Sequence, residues 1–271
     1  MRFSTSDNVS LYYTDDGDGL PLLCLAGLTR NATDFDYIAP HLTDHRLIRL
    51  DYRGRGQSAW TDQNTYTLLR EAQDALELLD HLKIEKVAIL GSSRGGLIGM
   101  ILAATAKHRL MGLMLNDIGP VIEPAGLNGI LDYLGKNPAA KTKNEAVKIR
   151  ASLLPGFTNV LERRWQQEVD KHYIETADGL IINYDPKLRD AVLAHSAEPV
   201  QDLWDLFDAC AGLPLGCIRG ANSDLLSADT LKAMLTRRTD LVAATVPDRG
   251  HVPFLDELES LAAIHAWSAK L

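Results

Sequence analysis

Val87-Ala88-Ile89-Leu90-Gly91-Ser92-Ser93-Arg94-Gly95-Gly96 is the stretch on which the reading of this chain turns. Val87–Leu90 is a continuous apolar run of strand length. Gly91 ends it, and from Gly95 to Ala106 small and apolar residues take over with a helical character. Ser93 therefore stands on a sharp strand-to-helix turn. Such a turn strains the backbone and needs small residues two positions to either side, which Gly91 and Gly95 supply. It lifts the hydroxyl clear of the sheet and aims a helix N-terminus at it. Ser93 is the candidate nucleophile. Ser92 competes with it but falls off the centre of the Gly-x-Ser-x-Gly pattern.

On either side of this turn, short apolar runs alternate with longer helical patterns. Ser10–Thr14, Pro21–Ala26, Leu47–Leu50, Leu110–Leu115, Leu215–Ile218 and Leu241–Val246 read as strands. The later runs are apolar at every position, as central strands of a parallel sheet covered on both faces require. Thr67–Leu82 carries Leu68, Leu69, Ala72, Ala75, Leu76, Leu79 and Leu82 at helical spacing, and Pro253–Lys270 reads as the C-terminal helix. The order implies a doubly wound α/β sheet with right-handed crossovers. Residues 120–211 break the rhythm: the segment is helical in character, punctuated at Gly135-Lys136-Asn137-Pro138 and Pro155-Gly156. It reads as a helical cap inserted into a core made of 1–119 and 212–271.

The 36 acidic residues outnumber the 28 lysines and arginines, for a net charge of −8. With no basic run, this argues against a general affinity for nucleic acid or an anionic membrane. The N-terminus lacks the apolar core of a signal peptide, and no apolar run approaches a membrane span. Cys24, Cys210 and Cys217 have no metal-type spacing. Cys24 and Cys217 sit in apolar runs as buried thiols, and the expected compartment is the reducing cytoplasm. No metal or cofactor motif is present. Gly54-Arg55-Gly56 begins like a dinucleotide fingerprint but lacks its third glycine and a following helix, and reads as a loop near the cleft. The expected partner is a small-molecule substrate; oligomeric state is not legible.

A nucleophilic serine needs a base, and the base an acid that orients it. Of the eight histidines, His41, His45, His81, His108, His172, His195 and His265 read as surface or packing residues. His251 follows the last strand in Pro247-Asp248-Arg249-Gly250-His251, at the sheet's carboxyl edge. Asp224, in the loop after Leu215–Ile218, is the expected acid, with Asp248 the weaker alternative. The oxyanion hole is expected from the backbone amides of Arg94 and of Leu28, where Gly27 allows a close approach.

These residues resemble the α/β-hydrolase superfamily, in its small cap-bearing branch of esterases, lactonases and carbon–carbon bond hydrolases. The resemblance rests on Leu25-Ala26-Gly27-Leu28, Asp51-Tyr52-Arg53-Gly54-Arg55-Gly56-Gln57-Ser58, the Ser93 turn, Leu115-Asn116-Asp117-Ile118-Gly119, Arg219-Gly220 with Asp224, and Gly250-His251-Val252-Pro253. It implies a mostly parallel sheet of about eight strands under a helical cap, and cleavage of an ester or lactone through an acyl-enzyme. Carbon–carbon hydrolysis of a diketone acid, a cofactor-free perhydrolase and a non-catalytic receptor on the same fold are the alternatives. Relatives with Asp at the turn, the haloalkane dehalogenases and epoxide hydrolases, are disfavoured by Ser93. The sequence departs from the family's frequent His-Gly at Ala26-Gly27, a change the backbone donor tolerates. It departs again at Arg94, whose side chain is read as a structural ion pair or a holder of a substrate carboxylate. In the cap, Trp165, Tyr133, Phe157 and Leu154 read as packing or as an acyl pocket. Arg150, Arg163 and Arg164 read as a solvated face or a lure for an acidic substrate.

Overall fold

The computed structural model describes residues 1–154, 156–195 and 202–271; the side chain of His195 and residue Pro155 fall outside that description. The main sheet is built from β1 (Arg2–Ser4), β2 (Ser10–Asp16), β3 (Leu20–Leu25), β4 (His45–Leu50), β5 (Val87–Ser92), β6 (Leu110–Asn116), β9 (Leu215–Gly220) and β10 (Val242–Val246). Their order across the sheet is β1-β2-β4-β3-β5-β6-β9-β10. β2 pairs antiparallel with both neighbours, and every pair from β4 to β10 is parallel.

The apolar strands follow from two-sided burial. On β3, Leu23 and Leu25 join one core with Ile89 and Leu115, while Leu22 and Cys24 join the other with Ala88, Leu90 and Met114. Successive side chains point to opposite faces, and both faces are covered. Helices α1 (Leu68–His81), α2 (Arg94–Thr105) and α8 (Ala228–Arg237) contribute to the first core. Helix α9 (Leu258–Ser268) packs Ile264 and Trp267 into the second. All three cysteines are free and buried. Burial pushes the Cys24 and Cys210 thiols up to about 12, which makes them inert at neutral pH.

Two helices differ from their sequence reading. α1 leaves Leu69 68% exposed and turns Glu71 and Asp74 inward, because buried arginines wait for both carboxylates. α9 starts after Pro253 rather than at it. The Glu257 carboxylate accepts the amides of Phe254 and Leu255, and Leu255 has φ 77°, so the chain is held in a loop until Glu257.

Between β6 and β9 lies the segment expected to form a cap: α3 (Pro124–Tyr133), α4 (Lys143–Leu153), α5 (Glu162–His172), α6 (Leu188–His195) and α7 (Trp204–Ala209), the last of which packs Phe207 into the first sheet core. It also holds a hairpin, β7 (Tyr173–Thr176) and β8 (Gly179–Ile182), that the helical reading of the segment did not anticipate. Phe157, Trp165 and Val169 form an apolar cluster with partly buried Leu154 and Phe254, distinct from the sheet cores. Trp165 packs edge to face against both Phe157 and Phe254, which meet each other tilted at 45°, so these side chains serve as packing. Tyr133 is 51% exposed and does not join them. No helix among the described residues is long and apolar enough to cross a membrane.

Candidate active site

β5 ends at Ser92 and α2 begins at Arg94, so Ser93 alone makes the corner, with φ 50° and ψ −114°. That conformation costs a residue with a side chain on the order of 1–3 kcal/mol. Close packing holds it. A Cβ on Gly91 would lie 2.5 Å from the Gly95 carbonyl carbon, and one on Gly95 only 2.0 Å from the Leu25 carbonyl oxygen. The Ser93 amide donates to the Asn116 carbonyl at 2.9 Å, tying the corner to the end of β6. Ser92 is buried, and its hydroxyl accepts a bond from the Asn116 amide group at 2.9 Å.

His251, in the loop after β10, places Nε2 2.9 Å from Ser93 Oγ. Its Nδ1 lies 2.7 Å from Oδ2 of Asp117. This corrects the sequence reading, in which Asp224 was the acid. Asp224 is exposed, and its carbonyl accepts from the Gly126 amide at 3.1 Å. The reason is a tight turn after β9: the Ser223 amide donates to the Gly220 carbonyl, and the Ser223 hydroxyl accepts the Leu226 amide at 3.1 Å. That turn brings Ser223 to the site and carries Asp224 past it. Asp248 is also elsewhere, accepting from Thr158 and Asn159 on the cap at 2.8 and 2.7 Å.

Asp117 stands one residue beyond β6, which pairs directly with β5. It is fully buried, with φ 55°. Its Oδ1 accepts the Gly220 amide at 2.7 Å and its Oδ2 accepts the Ser223 hydroxyl at 2.6 Å, which fixes the carboxylate under the imidazole. The signal was present in the sequence: Asp117 follows a strand at the carboxyl edge, as Asp224 does. Only the strand order shows that β6 is the nearer neighbour.

The Arg94 amide opens α2 directly after Ser93, and Gly27 brings its loop close: a Cβ there would lie 3.8 Å from Ser93 Cβ. Neither the Arg94 nor the Leu28 amide has an acceptor among the described residues. The side chain of Arg94 is committed, with Nε 2.5 Å from Glu71 Oε2 and Nη2 3.2 Å from the Tyr66 carbonyl. The other Glu71 oxygen lies 2.8 Å from Arg55 Nη1, and Arg55 Nε donates to the Leu28 carbonyl at 2.9 Å. Arg55 and Glu71 are fully buried. Burial pushes the Glu71 carboxyl up, but Arg55 and Arg94 outweigh it and hold the group below the usual range. Gly54-Arg55-Gly56 thus forms a structural loop: one buried ion cluster links the Leu28 loop to the start of α2.

The cap segment meets the core through a second charged group, in which the sequence reading had Arg150 as a solvated face or a lure for an acidic substrate and His172 as a surface or packing residue, and had no role for Arg30 or Glu168. His172 is buried against Arg30, and Arg150 is close by. Arg164 pairs with Asp256 and lies 3.6 Å from the Tyr37 ring centroid, while Arg163 is exposed. A cavity of about 20 Å³, enough for one water, is lined by Arg30, Asp34, Tyr37, Ser92, Glu168 and residues 252–255. An open depression of about 350 Å³ around Asp16, His45 and Arg49 shares no residue with this site. Among the described residues no group of His, Cys, Asp and Glu is placed to hold a metal ion.

Comparison with known proteins agrees with this architecture. Over 246 residues the chain is 35% identical to a 3-hydroxybutyrate-oligomer hydrolase of Cupriavidus necator, spanning 87% of this chain and 84% of that one. It is 34% identical over 119 residues to a rhodomycin D methylesterase of Streptomyces peucetius, covering 41% of this chain and 40% of the relative. The structure superposes on an alpha/beta hydrolase from Novosphingobium aromaticivorans with a TM-score of 0.92 and 35% identity, over 100% of this chain and 98% of that one. Residues 21–190 match the alpha/beta hydrolase fold family, and with the relatives above this makes the chain a member of that family and a hydrolase.

Proposed function

We propose that the protein hydrolyses carboxylic esters of small hydroxy acids through Ser93, His251 and Asp117. The observation that carries the reading is the continuous hydrogen-bonded chain from Ser93 Oγ through His251 to Asp117. The relative whose name gives 3-hydroxybutyrate oligomers as substrate supports the substrate class, since the likeness extends over most of both chains.

In this reading His251 Nε2 takes the Ser93 proton as Oγ attacks the ester carbonyl. Asp117 accepts the Nδ1 hydrogen, which fixes the tautomer and stabilises the imidazolium. The Leu28 and Arg94 amides receive the developing oxyanion, helped by the N-terminus of α2. His251 then returns the proton to the departing alkoxide, leaving an acyl-Ser93 and a free alcohol. Water attacks the acyl group with His251 again as base, releasing the acid and restoring Ser93. The test is labelling by a fluorophosphonate probe together with hydrolysis of the 3-hydroxybutyrate dimer and of p-nitrophenyl butyrate. Labelling confined to Ser93, and loss of both activities in Ser93→Ala, are expected. A Ser93→Ala protein that still turns over either ester at the wild-type rate overturns the reading.

A further inference from the structure

Arg30 and Arg150 converge on His172, and Arg30 stands on the loop that approaches Ser93. Arg30 is on the oxyanion loop, and its Cγ lies 3.3 Å from the point over Gly27 that is 3.8 Å from Ser93 Cβ. Its Nη1 meets the His172 ring closest at Nε2, with Nδ1 2.9 Å away, and Nη2 of Arg150, from α4, lies 3.4 Å from Nδ1. Two cations thus meet across one imidazole, which burial and the neighbouring arginines keep neutral.

The negative charge facing them is Glu168 and Asp34, and both favour Arg30. Glu168 Oε2 is 3.2 Å from Arg30 Nη1 but 4.0 Å from Arg150 Nη2, and its other oxygen accepts the Tyr37 hydroxyl at 3.0 Å. Asp34 is 3.7 Å from Arg30. Lys171 is taken by Asp36 and the Tyr37 ring. Arg150 is left with long contacts, 3.4 Å to the Tyr173 hydroxyl and 3.4 Å to His172. Its Nε is buried with no hydrogen-bond partner among the described residues. A half-buried guanidinium whose buried Nε donor is unmet is costly, and a carboxylate is the planar anion that satisfies it best.

We infer that Arg150, with Arg30 beside it, anchors the free carboxylate of an ester substrate, so that the enzyme prefers hydroxy-acid esters with one ionised end. This rests on the ester-hydrolase reading and deepens it. In a 3-hydroxybutyrate dimer the alcohol half carries that carboxylate a few bonds from the scissile oxygen. Holding it at Arg150 sets the ester against Ser93 and the Leu28 loop, so that oligomers are cut from the carboxylate end.

The test compares the dimer as free acid with its methyl ester, for the wild type and Arg150→Met. The wild type should favour the free acid by roughly 10- to 100-fold in kcat/KM, and Arg150→Met should bring that ratio close to one. A merely structural Arg150 predicts equal losses for the two substrates and an unchanged ratio, which overturns the anchor. A wild type that hydrolyses both forms equally well overturns it while leaving the ester-hydrolase reading intact; hydrolysis of neither overturns both. Should Arg150→Met fail to fold, inhibition of the wild type decides. Competition by 3-hydroxybutyrate but not by its amide supports the anchor, and equal competition by both refutes it.

Discussion

At the residue scale, the identity of the acid is the sharpest question. The sequence places Asp224 and Asp117 alike, each after a strand, and the structure sets Asp117, not Asp224, 2.7 Å from His251, which is why the proposal gives it the role. Asp117→Asn should lower kcat by about 10⁴-fold, because the amide no longer fixes the productive tautomer. Asparagine tolerates the left-handed φ of this position, so the variant should keep its fold. Asp224→Asn should change kcat by less than about threefold, since that side chain is exposed. Steady-state kinetics on p-nitrophenyl butyrate with both variants separates the two, and the opposite ranking would return the role to Asp224. Ser93 and His251 were legible in the sequence because each depends on a local pattern, a glycine-flanked turn and a glycine before a loop histidine.

At the element scale, α1 is more than a packing helix. Through Glu71 it holds Arg94 at the start of α2, and through Arg55 the carbonyl of Leu28. Glu71→Gln leaves the buried Arg55 and the half-buried Arg94 without a full counter-charge, a loss of about 3–5 kcal/mol. We expect a marked drop in Tm and a fall in kcat larger than any rise in KM, since both proposed oxyanion donors would shift. Thermal unfolding and kinetics on one preparation check this. A variant with lowered Tm but unaltered kcat would show that the cluster supports the fold alone. The close contact of α2 with β3 predicts a harsher result for Gly95→Ala, because the Leu25 carbonyl oxygen that its methyl would strike, 2.0 Å away, belongs to the backbone of a central strand. Loss of soluble folded protein is expected. The apolar periodicity of α1 marks a helix but misplaces Leu69 in the core, where the structure exposes it, and overlooks Glu71, because an inward carboxylate looks like a surface one until its arginines are in place.

At the scale of the whole molecule, the cap meets the core through a charged junction whose titration should be visible in stability. His172 is held well below its ordinary pKa by burial, with Arg30, Arg150 and Lys171 adding to it. A base with a depressed folded pKa contributes stability above its unfolded value, near 6.5, and loses it as pH falls below that. Burial raises Asp34 to about 6, with Arg30 pulling against it, and its protonation opposes the loss below that pH. Comparing wild type with His172→Gln isolates the histidine. Between pH 7.5 and 5.5 the wild type should lose about 1 kcal/mol more stability than the variant in urea unfolding. Parallel pH dependences would show that His172 is not buried neutral. What the sequence determined by itself is what chain-local patterns encode: apolar runs flanked by glycine fix the alternating architecture, the Ser93 corner and the His251 loop. What the tertiary structure alone decided is which distant groups meet. The order β5-β6-β9 brings Asp117 rather than Asp224 to His251, and the cap hairpin and α4 and α5 set Arg150 and His172 beside Arg30. Charged residues carry no mark of their partner in the chain. Whether one is solvated or buried depends on surfaces more than a hundred residues apart closing over it, as with Arg30 and His172.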